Sequence, residues 1–158
     1  MHQFRITKYN PLFRNELGHY KNDDWTSFSD IGRTFSSVVL TLEEYEKIEN
    51  VYIDAAIKLM CFAGIGSLKI VSLENNLGNS KQFNEGQYLS LKELPFKEVL
   101  RENFWCRFEN LEHSAFVHFG YDYYMYVGVP VFNSQTIEDI ESSGLFVEKF
   151  ASPYTDTQ

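Results

Sequence analysis

TLEEYEKIENVYIDAAIKLMCFAG, residues 41–64, decides how the rest of the chain is read. Thr41 followed by Glu44 has the spacing of a capping box, in which a hydroxyl and a carboxylate satisfy amides that the first helical turn leaves without partners. Gly64 suits the left-handed residue that ends a helix. Between them Tyr45, Ile48, Tyr52, Ala56, Leu59 and Ala63 recur on one side at helical spacing, with Glu43, Glu46, Lys47, Asn50, Asp54 and Lys58 opposite and Cys61 toward the polar side. Such a helix must lay its apolar stripe on another surface. The next segment, SLKIVSL (67–73), reads as a strand, so that surface is expected to be a sheet.

Working outward, HQFRITKY (2–9) alternates as a first strand and is stopped by Asn10-Pro11, since proline has no amide to give to a ladder. Residues 11–40 sustain neither period and form a long loop, and long loops within compact domains tend to carry function. Beyond the turn-rich 74–87, Ser90 with Glu93 repeats the capping spacing and predicts a helix beginning after Ser90 and running through FKEVLREN (96–103), with Pro95 blurring its start. FWCRFE (104–109) and AFVHF (115–119), joined by NLEHS, predict a hairpin, and YDYYMYVGV (121–129) a further strand. NSQTIEDIESSG (133–144) reads as a short acidic helix capped at Asn133 or Ser134 and stopped by Gly144, LFVEKF (145–150) as a last strand, and ASPYTDTQ (151–158) as a fraying tail. The expected architecture is α+β: a single domain over residues 1–158, a mostly antiparallel sheet with one long and two shorter helices packed mainly on one face.

Composition narrows the function classes. With 158 residues, 44% hydrophobic and 16% aromatic, the chain has the makings of one core. No stretch approaches the roughly 18 to 20 apolar residues of a membrane span, and the start lacks a secretory signal, so a cytoplasmic protein without membrane contact is expected. Cys61 and Cys106 are read as free thiols. Net charge is −8, unevenly placed: residues 1–107 carry 14 acids and 13 bases, residues 108–158 carry 8 acids and only Lys149. Such a balance argues against direct nucleic-acid binding, which needs bases along the phosphates, and suits a basic partner.

No cofactor or metal is expected. Short Cys or His pairs at ligand spacing are missing, and the GxG in FAGIGSLKI (62–70) precedes a strand where a phosphate cradle would follow one. Cys106 and His118 have no nucleophile elbow around them, and Cys106 among FWCRF reads as a small buried hydrophobe.

That leaves the tyrosines of HFGYDYYMYVGVP (118–130). By alternation Tyr121, Tyr123, Met125 and Val127 face one way, toward the helices; Asp122, Tyr124 and Tyr126 face the other, joined by His118 unless Gly120 forms a bulge rather than a turn. The second set suits a surface that meets water or a partner, because tyrosine brings rigid contact area and a hydrogen-bonding tip; cross-strand aromatic packing is the other role open to it. Glu109 and Glu112, with Glu138, Asp139 and Glu141 on the acidic helix, would supply the surrounding field. Asp23, Asp24 and Trp25 form a possible second patch in the long loop, where Trp25 is either an exposed anchor or a pin to the core.

Three stretches, FRITKYNP (4–11), DDWTSFSDIG (23–32) and FVHFGYDYYMYVG (116–128), resemble small bacterial immunity proteins of polymorphic or contact-dependent toxin systems. The resemblance implies a cytoplasmic, non-enzymatic protein that binds its cognate toxin domain, commonly a basic nuclease, and blocks its site. The alternative is an enzyme of unrecognised type, with a site near the 11–40 loop around Trp25 and Asp30 and His118 as general base.

Overall fold

The computed structural model describes residues 1–74 and 82–155. Its elements follow in chain order: β1 (His2–Thr7), the two-residue strands β2 (Thr34–Phe35) and β3 (Val38–Val39), α1 (Leu42–Phe62), β4 (Ser67–Glu74), β5 (Tyr88–Ser90), α2 (Phe96–Leu100), β6 (Trp105–Asn110), β7 (Ala115–Phe119), β8 (Met125–Val129), α3 (Ser134–Ser142) and β9 (Phe146–Lys149). Seven strands make one antiparallel sheet in the order β5-β4-β6-β7-β8-β1-β9, so the first strand lies between the last two. β2 and β3 pair separately as a small hairpin through Ser36 and Ser37, both with positive φ. The α+β class and the single domain are as the sequence indicates.

The long helix forms where its pattern predicts. The Thr41 hydroxyl accepts the Glu44 amide at 3.2 Å, and Gly64 takes φ +75° just beyond the end. Its buried face, Tyr45, Tyr52, Ala55, Ala56, Leu59 and Met60, meets Phe4 and Ile6 of β1, Leu68 and Ile70 of β4, Cys106 and Phe108 of β6, Val117 of β7 and Met125 and Val127 of β8. At about 25 cal/mol per Å² of apolar surface removed from water, this one-sided core dominates stability. Asn133 caps α3 through its side chain, accepting the Thr136 amide at 2.9 Å, and Gly144 (φ +103°) ends the turn after it.

Two expectations are corrected. Ser90 does not start a helix: its carbonyl accepts from the Glu93 and Leu94 amides in a turn, and α2 opens only at Phe96, behind Pro95. A proline lacks the amide that a helix interior requires, so the capping spacing was overruled. Nor does the tail fray as far as Thr155; Asp156, Thr157 and Gln158 lie outside the described residues. Residues 150–155 fold across the sheet face turned away from the helices, where Ser152 is buried. That face would otherwise expose Phe116, His118 and Tyr126.

Gly120 belongs to a turn rather than a bulge: β7 ends at Phe119, a 3-10 turn covers Tyr121–Tyr123, and Asp122 and Tyr123 are both left-handed. Cys61 is exposed and Cys106 buried, both unpaired, and burial pushes the Cys106 thiol up to about 12, away from thiolate chemistry. Among the described residues no helix is long and apolar enough to cross a membrane.

Candidate functional site

The four tyrosines around the turn have four different surroundings. Tyr121 is 84% exposed. Tyr123 is interior, its hydroxyl donating to Tyr45 Oη at 2.9 Å and its ring packed edge-on against Tyr52 and Trp25. Tyr124 is half-buried beneath the guanidinium groups of Arg5 and Arg14. Tyr126 is 7% exposed under Phe150 and Tyr154 of the tail. Trp25 is a core pin: it packs on Tyr45 and Tyr123, with the Lys8 ammonium 4.1 Å from its ring centroid.

Of the expected binding residues, Asp23, Glu112, Asp122, Glu138, Asp139 and Glu141 are exposed, Asp24 and Tyr124 half-buried, and Glu109, Tyr126 and Trp25 interior. The interior three cannot belong to a solvent-facing footprint, which corrects that reading. For Glu109 and Tyr126 the cause is the tail, which covers a second sheet face, so alternation along β8 separates two buried faces rather than a buried one from a wet one; Trp25 is instead held in the core by Tyr45 and Tyr123. The exposed acids also fall at different places, since Glu112 follows β6 and Asp122 follows β7, at opposite ends of an antiparallel meander, while Glu138, Asp139 and Glu141 ride on α3 beside β9.

Charge is sorted between inside and outside. Arg5 and Arg14 share Glu148, whose carboxyl burial would raise but hydrogen bonds from the two guanidiniums hold below its ordinary value. Lys8 meets Asp24 at 2.9 Å, Arg101 grips the fully buried Glu49 with two 2.9 Å bonds, and Arg107 lies 3.5 Å from Glu109. Five of the 14 basic side chains are thus turned inward and engaged by four acids, which leaves the outer surface more acidic relative to its bases than the sequence total.

Under the tail, His118 Nε2 is 2.9 Å from Glu109 Oε1 and Nδ1 is 2.7 Å from Ser152 Oγ, which also accepts the Tyr154 amide at 3.1 Å. The order serine, histidine, carboxylate is that of a hydrolytic relay. Here Ser152 is 4% and His118 0% exposed, Phe116 stacks on the imidazole at 4.1 Å, and the chain of bonds clips the tail to the sheet. Asp30 bonds elsewhere, capping the amides of Thr26 and Ser27, so the long loop and His118 supply their polar atoms to different neighbours. Among the described residues no group of three or more His, Cys, Asp or Glu could hold a metal ion.

One concave feature was not legible in the sequence. Between the end of α2 and the β7–β8 turn lies a cleft of about 540 Å³, floored by Val99, Leu100 and Phe119 and walled by Trp105, Tyr121 and Tyr154. The Trp105 indole donates to the Phe119 carbonyl at 2.8 Å, fixing one wall. Tyr154 closes over Gly120, where an added Cβ would lie 3.0 Å from its hydroxyl and 3.2 Å from its ring, so a side chain at position 120 would require Tyr154 to give by a few tenths of an ångström. Glu74, paired across from Trp105, and Glu102, held at φ +62° beyond α2, bring carboxylates to the lining, which among the described residues holds no base. Tyr121, expected from strand alternation to face the helices, instead sits in the turn and stands exposed at the cleft, because β8 begins only at Met125.

The chain matches no family model, no curated protein and no solved structure.

Buried ionisable groups near the long loop give the fold a definite pH response. Burial holds the Lys8 ammonium down to about 8, against the pull of Asp24 and Asp30, while an unfolded lysine keeps its proton to 10.5. Between those values the unfolded chain binds more protons, so stability rises with pH, by at most about 3 kcal/mol. Burial raises the phenols of Tyr9, Tyr45, Tyr52 and Tyr123, so above the ordinary tyrosine value of 10.0 the unfolded chain loses protons that the folded one keeps, and stability falls. Urea midpoints measured at about pH 7, 9 and 11 should peak at the middle value, and Lys8→Met should flatten the rising limb.

Proposed function

We propose that this is a cytoplasmic, non-enzymatic protein of the immunity type, which binds a basic toxin domain, such as a nuclease, and blocks it sterically and electrostatically. The observation that supports this reading best is the inward sorting of arginine and lysine, which leaves Asp122, Glu138, Asp139 and Glu141 on the outside and, among the described residues, without ion-pair partners. A surface of one sign speeds encounter with a partner of the other. The stretches at 4–11, 23–32 and 116–128 that resemble immunity proteins point the same way. The exposed residues Asp122, Glu138, Asp139 and Glu141 are the proposed contacts, with Tyr121 replacing the interior Tyr126.

The test is kinetic. Binding to a panel of basic toxin domains, measured by surface plasmon resonance, should show an on-rate that falls steeply with salt. Glu138→Lys with Asp139→Lys should lower it about tenfold. An unchanged on-rate removes α3 from the interface; no binding to any domain, with no protection of cells producing them, overturns the reading.

A further inference from the structure

The cleft beside α2 joins two kinds of group that rarely share a lining: open aromatic rings and carboxylates. Trp105 and Tyr154 form adjoining walls, with ring centroids 5.6 Å apart and planes inclined by 50°, and Tyr121 stands at the mouth, 84% exposed. Aromatic faces carry partial negative charge and attract cations, most strongly at tryptophan. Glu74 and Glu102 add full charges, and neither is ion-paired within the described residues. The lining of Val99, Leu100 and Phe104 is apolar, so an occupant must carry hydrocarbon as well as charge.

The chain itself holds cations in such surroundings: the Lys8 ammonium lies 4.1 Å from the Trp25 centroid while paired to Asp24, and two arginines do so with a bidentate grip on the carboxylate. Arg101 lies over the Phe28 ring at 4.8 Å while paired to Glu49, and Arg5 lies over Phe150 at 3.9 Å while paired to Glu148. In both, a planar, weakly hydrated guanidinium stacks on a ring and meets a carboxylate edge-on, which a compact, strongly hydrated ammonium does less well. The cleft offers the same combination toward solvent.

We propose that the cleft binds an organic cation with an apolar body, and that in a protein partner this is an arginine side chain beside an apolar neighbour. A volume of about 540 Å³ exceeds one side chain and accommodates such a pair. The inference rests on the proposed basic partner for its biological meaning and on the cleft alone for its chemistry.

The experiment uses Nα-benzoyl-arginine amide and its neutral analogue Nα-benzoyl-citrulline amide, titrated into the full chain. The readout is the Trp105 indole N–H in a nitrogen–proton correlation spectrum. The arginine probe should bind tighter by a factor of about ten or more and shift that resonance. Glu74→Gln with Glu102→Gln should erase the preference while leaving the citrulline probe unchanged, and Tyr121→Ala should weaken the arginine probe. Equal binding of the two probes, binding of neither, or shifts that spare Trp105 would each overturn the proposal. Salt-steered association with a toxin domain is a separate readout: if it persists while the probes fail, blockade stands and the cleft is not its anchor.

Discussion

An alanine at position 128 should destabilise the protein by about 3 kcal/mol, a large part of a domain's stability. Gly128 lies on β8 opposite Phe116 of β7, on the face that the tail covers. A Cβ there would overlap the Phe116 ring, 2.6 Å from Cδ1 and closer still to Cε1, and would lie 2.8 Å from Met1 Sδ. The methionine can swing away, but Phe116 cannot: it is fully buried and stacked on His118 with ring planes 13° apart. Thermal and urea midpoints would read the loss, and Phe116→Leu in the alanine background should recover part of it. An unchanged midpoint would mean that Phe116 can leave its stack at little cost.

Arg101→Ala is the second large effect, about 3 kcal/mol. Glu49 is fully buried in α1, and the two guanidinium bonds at 2.9 Å are its main compensation, with Lys97 contributing only from 4.0 Å. Removing Arg101 leaves a carboxylate in low dielectric with one distant cation. Replacing both residues together by leucine should destabilise far less than the single change, because the pair's desolvation is removed along with its attraction. Urea denaturation of Arg101→Leu, Glu49→Leu and the double variant gives the coupling directly. A single Arg101→Ala that matched the parent would show that Lys97 moves in and suffices.

Glu49 also marks the limit of what periodicity conveys. Tyr45, Tyr52, Ala56 and Leu59 announce the buried face of α1 because each is apolar at helical spacing, yet a glutamate on the same face looks like a surface residue until Arg101, 52 positions away, is known to meet it. The capping at Thr41 and Asn133 and the glycine stops at 64 and 144 were equally local and equally legible. Tyr126, Glu109 and Phe116 were not, because β7 and β8 are buried on both faces, and alternation sorts residues between faces without saying what covers either. The cover is Ser152 and Tyr154, held by hydrogen bonds from polar atoms that no apolar pattern signals. The cleft was hidden for a similar reason. Glu74, the Glu102–Trp105 stretch, Tyr121 and Tyr154 come from four segments, and only the folded sheet and its tail bring them together.

The position of β1 between β8 and β9 governs how the molecule can come into being. Phe4 and Ile6 lie far along the sequence from their ladder partners, Val127 and Lys149 for the one and Met125 and Val147 for the other, and the Arg5–Glu148 bond spans 143 positions. Closing so distant a pair before its contacts can reward it makes for high contact order and slow folding. β1 must therefore wait, unzipped, until β8 and β9 have been made, a window in which chaperones rather than the protein's own sheet would guard its apolar edge.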